Sequence, residues 1–479
     1  MVMCHGLYDL LIKLFLSVFL LMVVPYHIYG QEDSVFKIIN WRLNNIEKPI
    51  KVQLDTLYAQ SLIGVFYKYS NEKPIWTNYI SSRRRLKKLI NIIENSEQEG
   101  LNPQDYHLNA LNTFSRYNIW QLHRDPSMLA DLDMLLSDAF LTLSTHYFMG
   151  KVNNSKIFGP KENVFVEKNI PLILWNAVQS NDLESTLFSL LPHFKQYTYL
   201  KEGLKFYKEK LETYPDSTVF RNHYNKIAIN MERWRWIPKP VDSIFIVVNI
   251  PGYHLWVFQN DEIILNMKTI VGKVSTPTPT FNCALTYLVV QPRWNIPNSI
   301  MKEELLPKIL KDTAYLRRNR IYIVKNWSDY DAIRISPRSL SWESISTRNF
   351  PYKLVQSSGG GNPLGNVKFM FPNEYDVYLH DTPNYALFNK TTRAYSHGCI
   401  RIEKANELAF LLTQNQSLLY YNKYKEFDEN EHINLKSPVP LYINYWTTWY
   451  QDSEIVFLDD IYNKDQYLIK FFFQKPSFF

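Results

Sequence analysis

The chain has 479 residues, of which 21% are charged, with a formal net charge of +7 and three cysteines. That length excludes a single small domain and leaves room for about two or three, each with its own core. The basic residues are dispersed; the densest run, Arg83 to Arg85 with Lys87 and Lys88, falls on a predicted helix and reads as a solvated face, not as a nucleic-acid site.

Leu10 to Val24 is almost wholly apolar, interrupted by Lys13 and Ser17. It is shorter than the ~20 residues of a comfortable membrane span. It fits the apolar region of a secretory signal, with its exit near Gly30-Gln31. The exit lacks an A-x-A pattern, so residues 1–30 form either a signal peptide or an uncleaved anchor. In both cases the rest of the chain is expected outside the cytoplasm, in the periplasm or cell envelope, and in the second case membrane-tethered. Removal of the signal takes Cys4 and leaves Cys283 and Cys399. An exported protein could pair them. Alternatively Cys283 is a small buried residue in a β-like run and Cys399 is a working thiol.

Residues 31–235 read as a helical scaffold. Leu86, Leu89, Ile90 and Ile93 recur at helical spacing after Ser81-Ser82, with Gly100 beyond the end. A second helix is expected over Ser127–Phe148 along Leu129, Leu132, Leu136, Phe140 and Leu143, ending at Gly150. Further helices are expected near Pro171–Leu191 and Leu200–Thr213. This half shows no internal repeat and no cluster of catalytic residue types.

The texture changes at Pro238-Lys239-Pro240, where prolines end a helix and start extended chain. Strands are predicted over Ser243–Ile250, Tyr253–Gln259, Glu262–Val271, Ala284–Gln291, Gly365–Phe371 and Tyr375–His380. Such a meander implies a β-rich domain over 241–479, a sandwich or open barrel, and a multidomain α+β chain overall. Residues 295–356 break the rhythm. Lys302–Leu316 looks helical, and the segment reads as an insertion, either a lid or an ordinary excursion with a small core.

The chemistry concentrates late in the chain, at Tyr378-Leu379-His380-Asp381-Thr382 and Ser396-His397-Gly398-Cys399-Ile400-Arg401. A thiol beside imidazoles suits acyl transfer through a thioester. His380 ends a predicted strand and is the candidate base, with Asp381 to orient it through side chain or carbonyl. Gly398 allows a tight turn in which the N–H groups of Gly398 and Cys399 could converge as an oxyanion hole. His397 could act directly or pack the loop. Arg401 could hold a carboxylate or brace the loop. A helix is expected from near Glu403. Zinc binding lacks a CxxC or HExxH spacing. A phosphatase loop would need arginine where Ala405 stands. A papain-like order would put the cysteine before the histidine.

These motifs resemble the signature of YkuD-type L,D-transpeptidases. Asn230–Pro238, Pro292-Arg293-Trp294-Asn295-Ile296-Pro297, Tyr378–Pro383, Leu387-Phe388 and Arg393 are similar to the large YcbB-like subgroup, and Gly100–Tyr106 resembles its scaffold domain. The resemblance implies a β-sandwich catalytic domain with a capping lid over 295–356. It implies action on peptidoglycan tetrapeptide stems as donor and acceptor, giving 3→3 crosslinks in cell-wall biogenesis and cell shape. Cys399 would be the nucleophile and His380 the base. The N–H groups of His397, Gly398 and Cys399 would form the oxyanion hole. Arg401, Arg393, Tyr378 and Trp294 would lie in substrate binding. Carbapenem β-lactams would acylate Cys399. No cofactor or metal is implied, no nucleic acid is expected, and other cell-wall synthesis proteins are possible partners. The stretch 195–230 is too short for the subgroup's peptidoglycan-binding module. Water or a protein amine could resolve the same thioester. A non-catalytic wall-binding protein is the reading from another class.

Overall fold

The computed structural model describes residues 33–45, 50–52, 55–77, 82–117, 119–152, 169–237, 244–260, 262–420 and 427–476. The predicted signal segment and the Pro238–Pro240 junction lie outside the described residues. The chain is α+β, a helical N-terminal half followed by a β-rich one, and divides into two compact units.

In the first unit the main helices are α1 (Gln60–Tyr69), α2 (Ser82–Asn95), α3 (Leu108–Arg116), α4 (Pro126–Met149), α5 (Lys195–Thr213) and α6 (Thr218–Arg235). The predicted stripe of α2 is buried at Leu86, Leu89, Ile90 and Ile93. Just past it Gly100 takes a left-handed φ of +75° that a β-carbon would oppose. Asp125 caps α4 by accepting from the Ser127 N–H at 2.8 Å.

α4 was expected to be amphipathic. Instead it is buried all round, Asp131, Asp133 and Asp138 included. Two of these carboxylates are anchors. Asp133 accepts from the N–H groups of Ile75, Trp76 and Thr77 at 3.0, 2.8 and 2.9 Å. Asp138 accepts from those of Tyr58 and Ala59 at 2.9 and 2.7 Å, and bonds His107 Nε2 at 2.6 Å. A buried carboxylate is tolerated where donors replace its water. The helix predicted over 171–191 is broken: one helix covers 169–180, Asn181 turns at a φ of +57°, and Leu183–Phe188 follows.

The second unit is built from β1 (Ile244–Asn249), β2 (His254–Gln259), β3 (Glu262–Gly272), β4 (Phe281–Val290), β5 (Trp294–Asn295), β6 (Ile321–Val324), β7 (Lys353–Gln356), β8 (Val367–Met370), β9 (Leu379–His380), β10 (Ala394–Ser396), β11 (Ile400–Ile402), α7 (Ala405–Thr413) and β12 (Glu431–Asn444). Nine of the strands lie in the order β10-β3-β11-β9-β8-β4-β12-β1-β2, and β2 also pairs with β3, so the hydrogen bonding closes on itself. Val248, Leu255, Leu285, Leu288, Phe369, Leu379, Ile400, Ile402 and Leu408 share its core.

The 295–356 excursion has its own three-stranded sheet, β5-β7-β6, and its own core of Ile296, Met301, Leu306, Ile309, Ile323 and Leu354. The helix predicted over Lys302–Leu316 is instead a π-helical turn (Met301–Leu305) and two short helices, Leu306–Lys311 and Ala314–Arg318, separated at extended Asp312.

The β-rich unit was expected to run to 479, but it comprises residues 240–447 and 458–462. β13 (Thr448–Gln451), β14 (Glu454–Phe457) and α8 (Asp465–Phe472) belong with the helices. The Trp449 ring lies tilted 5.7 Å from that of Trp234, and Arg233 bonds Asp465 at 2.8 Å. The physical reason is that the apolar and charged partners of this tail lie on α5 and α6.

Candidate active site

β9 is parallel to β11, with Leu379 opposite Ile400 and His380 opposite Arg401. β8 is antiparallel to β9, with Lys368 opposite His380. Side chains alternate along a strand, and opposed residues share a face. Leu379, Ile400, Ile402 and Phe369 are buried in the core. Their neighbours His380, Arg401 and Lys368 therefore all point to the other face. The Ile400 N–H donates to the Tyr378 carbonyl at 3.1 Å, which sets Cys399 beside Tyr378 at the start of the pair. Tyr378 and Cys399, each one step out of phase with the core residues, join the same face.

Cys399 is half-buried and free, as is Cys283. Its S–H donates to the Asp376 carbonyl at 3.8 Å. Burial raises the Cys399 thiol above its ordinary value, and hydrogen bonds from Tyr378 and the Arg401 charge only partly offset this. The Tyr378 hydroxyl meets the sulfur, and its ring lies 5.6 Å from that of His380.

His380 is buried, and its Nδ1 lies 2.6 Å from the Asp381 carbonyl. A carbonyl only accepts, so Nδ1 carries the proton and Nε2 keeps the lone pair of a base. Burial, then the charges of Arg401 and Lys368, lower the imidazole to about 3 against the pull of the Asp381 and Pro363 carbonyls. The resting pair is thus thiol and neutral imidazole.

The loop before Cys399 is held tightly. Gly398 has a φ of +115°. Its N–H donates to Ser396 Oγ at 3.2 Å, and its carbonyl accepts from Thr278 Oγ1 at 2.8 Å. Ser396 Oγ in turn donates to the Cys399 carbonyl. The Gly398 N–H is therefore spent inside the loop and is not free for an oxyanion; this corrects the sequence expectation. No acceptor meets the Cys399 or His397 N–H among the described residues.

The other predicted residues separate. The exposed His397 pairs with Glu304 of the inserted segment at 2.7 Å, and its Nε2 lies 3.2 Å from Lys273 Nζ. Arg393 was expected in substrate binding, but its guanidinium is committed to the carbonyls of Thr269, Lys390 and Tyr253 at 3.2, 2.8 and 3.0 Å. Trp294, expected likewise, packs into the inserted segment's core through β5. Tyr378 and Arg401 do stand beside the sulfur. Cys283 lies on β4 against the main core, where burial pushes it up to about 12. Sequence reasoning missed Lys368, although the alternation Val367-Lys368-Phe369 already places a lysine opposite two core residues. Among the described residues no cluster of His, Cys, Asp and Glu could hold a metal ion.

Comparison with known proteins agrees with this layout. A family profile for the L,D-transpeptidase catalytic domain, YkuD, matches residues 243–426, and a scaffold-domain profile matches 61–204. The chain carries a YkuD-type L,D-transpeptidase catalytic domain behind a scaffold domain. A Haemophilus influenzae protein named as an L,D-transpeptidase is 32% identical over 339 residues, covering 70% of this chain and 66% of its own length, so the chain spans just under two thirds of that relative. Similar solved structures include an L,D-transpeptidase from Mycobacterium smegmatis (13% identity, TM-score 0.20, covering 42% of this chain and 58% of that one). Another is the catalytic domain of an E. faecium L,D-transpeptidase acylated by ertapenem (13% identity, TM-score 0.18, covering 43% and 99%).

Proposed function

We propose that this L,D-transpeptidase domain forms 3→3 crosslinks between peptidoglycan stem peptides through a thioester on Cys399. The observation that carries the reading is the shared face of Cys399 and His380, fixed by the register of Leu379 opposite Ile400. Substrate binding brings the thiol under the carbonyl of the third, diamino acid residue of a tetrapeptide. His380 Nε2 takes the thiol proton as sulfur attacks the carbonyl carbon. The oxyanion is met by the N–H of Cys399, a donor worth about 3 kcal/mol in such sites. The C–N bond breaks, and the D-Ala amine leaves with the proton from the imidazolium. A side-chain amine of a second stem then attacks the thioester and gives its proton to His380; the C–S bond breaks, and that proton returns to the sulfur to restore the thiol.

Carbapenems would acylate the same sulfur, and the N-terminal segment would carry the enzyme out of the cytoplasm to its polymer. The test is incubation of the full chain with disaccharide tetrapeptides. A crosslinked dimer with loss of D-Ala supports the reading, and tripeptide alone would make the protein an L,D-carboxypeptidase. Crosslinking unchanged by Cys399→Ala would end the thioester mechanism.

A further inference from the structure

Lys368 enters none of the steps above, yet it stands in one row with the base. It is opposite His380 on one side, and Arg401 is opposite His380 on the other. Adjacent strands are ~4.8 Å apart, so the two cations flank the imidazole on the same face, one from each neighbouring strand. Lys368 Nζ also lies 5.8 Å from the centre of the Tyr378 ring, whose hydroxyl meets the sulfur.

Among the described residues neither cation is paired with a carboxylate, and the acidic group that each one feels is the Cys399 thiol. Among the described residues Lys368 and Arg401 form no salt bridge or side-chain hydrogen bond, and Arg401 Nε is fully buried without an acceptor. Nearby carboxylates are turned to other partners. Asp381 accepts from the Asn366 N–H and the Tyr385 hydroxyl, and Glu304 pairs with His397. Desolvation lowers both Lys368 and Arg401 from their ordinary values. Unpaired buried charge is costly, and such sites are completed by a partner that brings the opposite charge and fills the donors.

We propose that Lys368 and Arg401 form an anion subsite that holds the free C-terminal carboxylate of the acyl donor's leaving residue beside Cys399. The inference rests on the peptide-donor reading above. In a donor ending at the leaving residue, this carboxylate is three bonds from the scissile carbonyl carbon, so it lies over the row that contains His380. A further residue would turn the carboxylate into an amide and leave both cations unpaired. The subsite therefore selects donors by where they end. Neutralising the two cations also removes two of the charges that hold His380 poor in protons, so the base gains strength when a correct donor arrives.

The test uses the full chain and two readouts. First, alkylation of Cys399 by iodoacetate and by iodoacetamide is measured, each relative to free cysteine. Wild type is expected to favour the anionic reagent by about tenfold or more, the usual worth of charge-assisted hydrogen bonds. Lys368→Met is expected to bring the ratio toward one, and Lys368→Arg to restore it. Lys368→Gln replaces the methionine variant should that one fail to fold. Second, tetrapeptide donors ending in D-Ala carboxylate and in D-Ala carboxamide are compared. The Lys368 variant should raise KM for the carboxylate donor and collapse the preference between the two. Equal slowing of both alkylating reagents would reduce the cations to thiolate stabilisers and overturn the subsite. Alkylation preference without any crosslinking would sink the transpeptidase reading and leave the subsite standing. Crosslinking without either preference would do the reverse.

Discussion

The Nδ1–H of His380 donates to the backbone carbonyl of Asp381 at 2.6 Å, so main chain, not a carboxylate, orients the base. The Asp381 side chain faces away, accepting from the Asn366 N–H at 2.9 Å and the Tyr385 hydroxyl at 2.6 Å. Gly365 gives it room: at a φ of +64°, a β-carbon there would come within 2.3 Å of Asp381 Oδ2. Asp381→Asn should therefore lose less than about tenfold in kcat/KM, far from the ~10⁴ that follows when a triad's orienting carboxylate is removed. It should also melt lower, by about 1–2 kcal/mol of stability, because an amide nitrogen replaces one acceptor between two donors. Steady-state kinetics and thermal melts on one preparation separate the two effects.

Cys399 and His380 are shifted in opposite directions, the thiol up by burial and the imidazole down to about 3. A preformed thiolate–imidazolium pair needs the reverse order. Alkylation of the free enzyme by iodoacetamide should rise continuously with pH into the alkaline range. A reactive plateau at acid to neutral pH would show a standing ion pair and remove the need for a base. His380→Asn should leave this free-enzyme profile nearly in place while turnover on peptide falls by about 10²–10⁴.

The two units answer to pH with opposite signs. In the helical unit burial pulls His107 down, but its bonds to Asp138 and Asp55 outweigh that and push it up to about 9. Its folded value lies above the unfolded ~6.5, so its stabilisation is whole below that pH and is lost as pH rises through about 9. His380 is held at about 3, so its contribution is present above ~6.5 and is lost as pH falls toward 3. The shifts correspond to about 3 kcal/mol for His107 and about 5 kcal/mol for His380. Thermal melts across pH should show both limbs, and His107→Gln should flatten only the alkaline one. A melt of that variant still falling steeply at alkaline pH would place the titration elsewhere.

Period carried most of what the sequence revealed. Helix α2 and strands β1 to β4 follow from apolar spacing because their burial is one-sided or continuous, and the His380 and Cys399 motifs follow from chemistry. What stayed hidden depended on partners distant in sequence. β12 runs for 14 residues between β4 and β1, but Pro438 and Pro440 read as breakers. A register shift between Asn434 and Val439 takes up the first of them. α4 reads as amphipathic because Asp133 and Asp138 look like a solvated face, and only the folded chain brings them their backbone donors. Lys368 was passed over because a lysine on a strand is ordinary until its neighbours across two strands prove to be a base and another cation.

Arg393 tests whether proximity in sequence to the reactive cysteine implies contact with substrate. Its Nε donates to the Thr269 carbonyl, one Nη to Lys390 and the other to Tyr253, and the guanidinium lies 5.3 Å from the Tyr253 ring centre. The planar fork ties β3 and the turn between β1 and β2 to the segment that leads into β10. Lysine has a single point charge and cannot span three carbonyls. Arg393→Lys and Arg393→Met should both lower stability by about 2–3 kcal/mol, since carbonyls paired within the fold lose their donor. KM for the donor should stay within about twofold, because each guanidinium nitrogen already donates to a backbone carbonyl of the fold. A variant that melts like wild type but binds donor tenfold more weakly would return Arg393 to the substrate site.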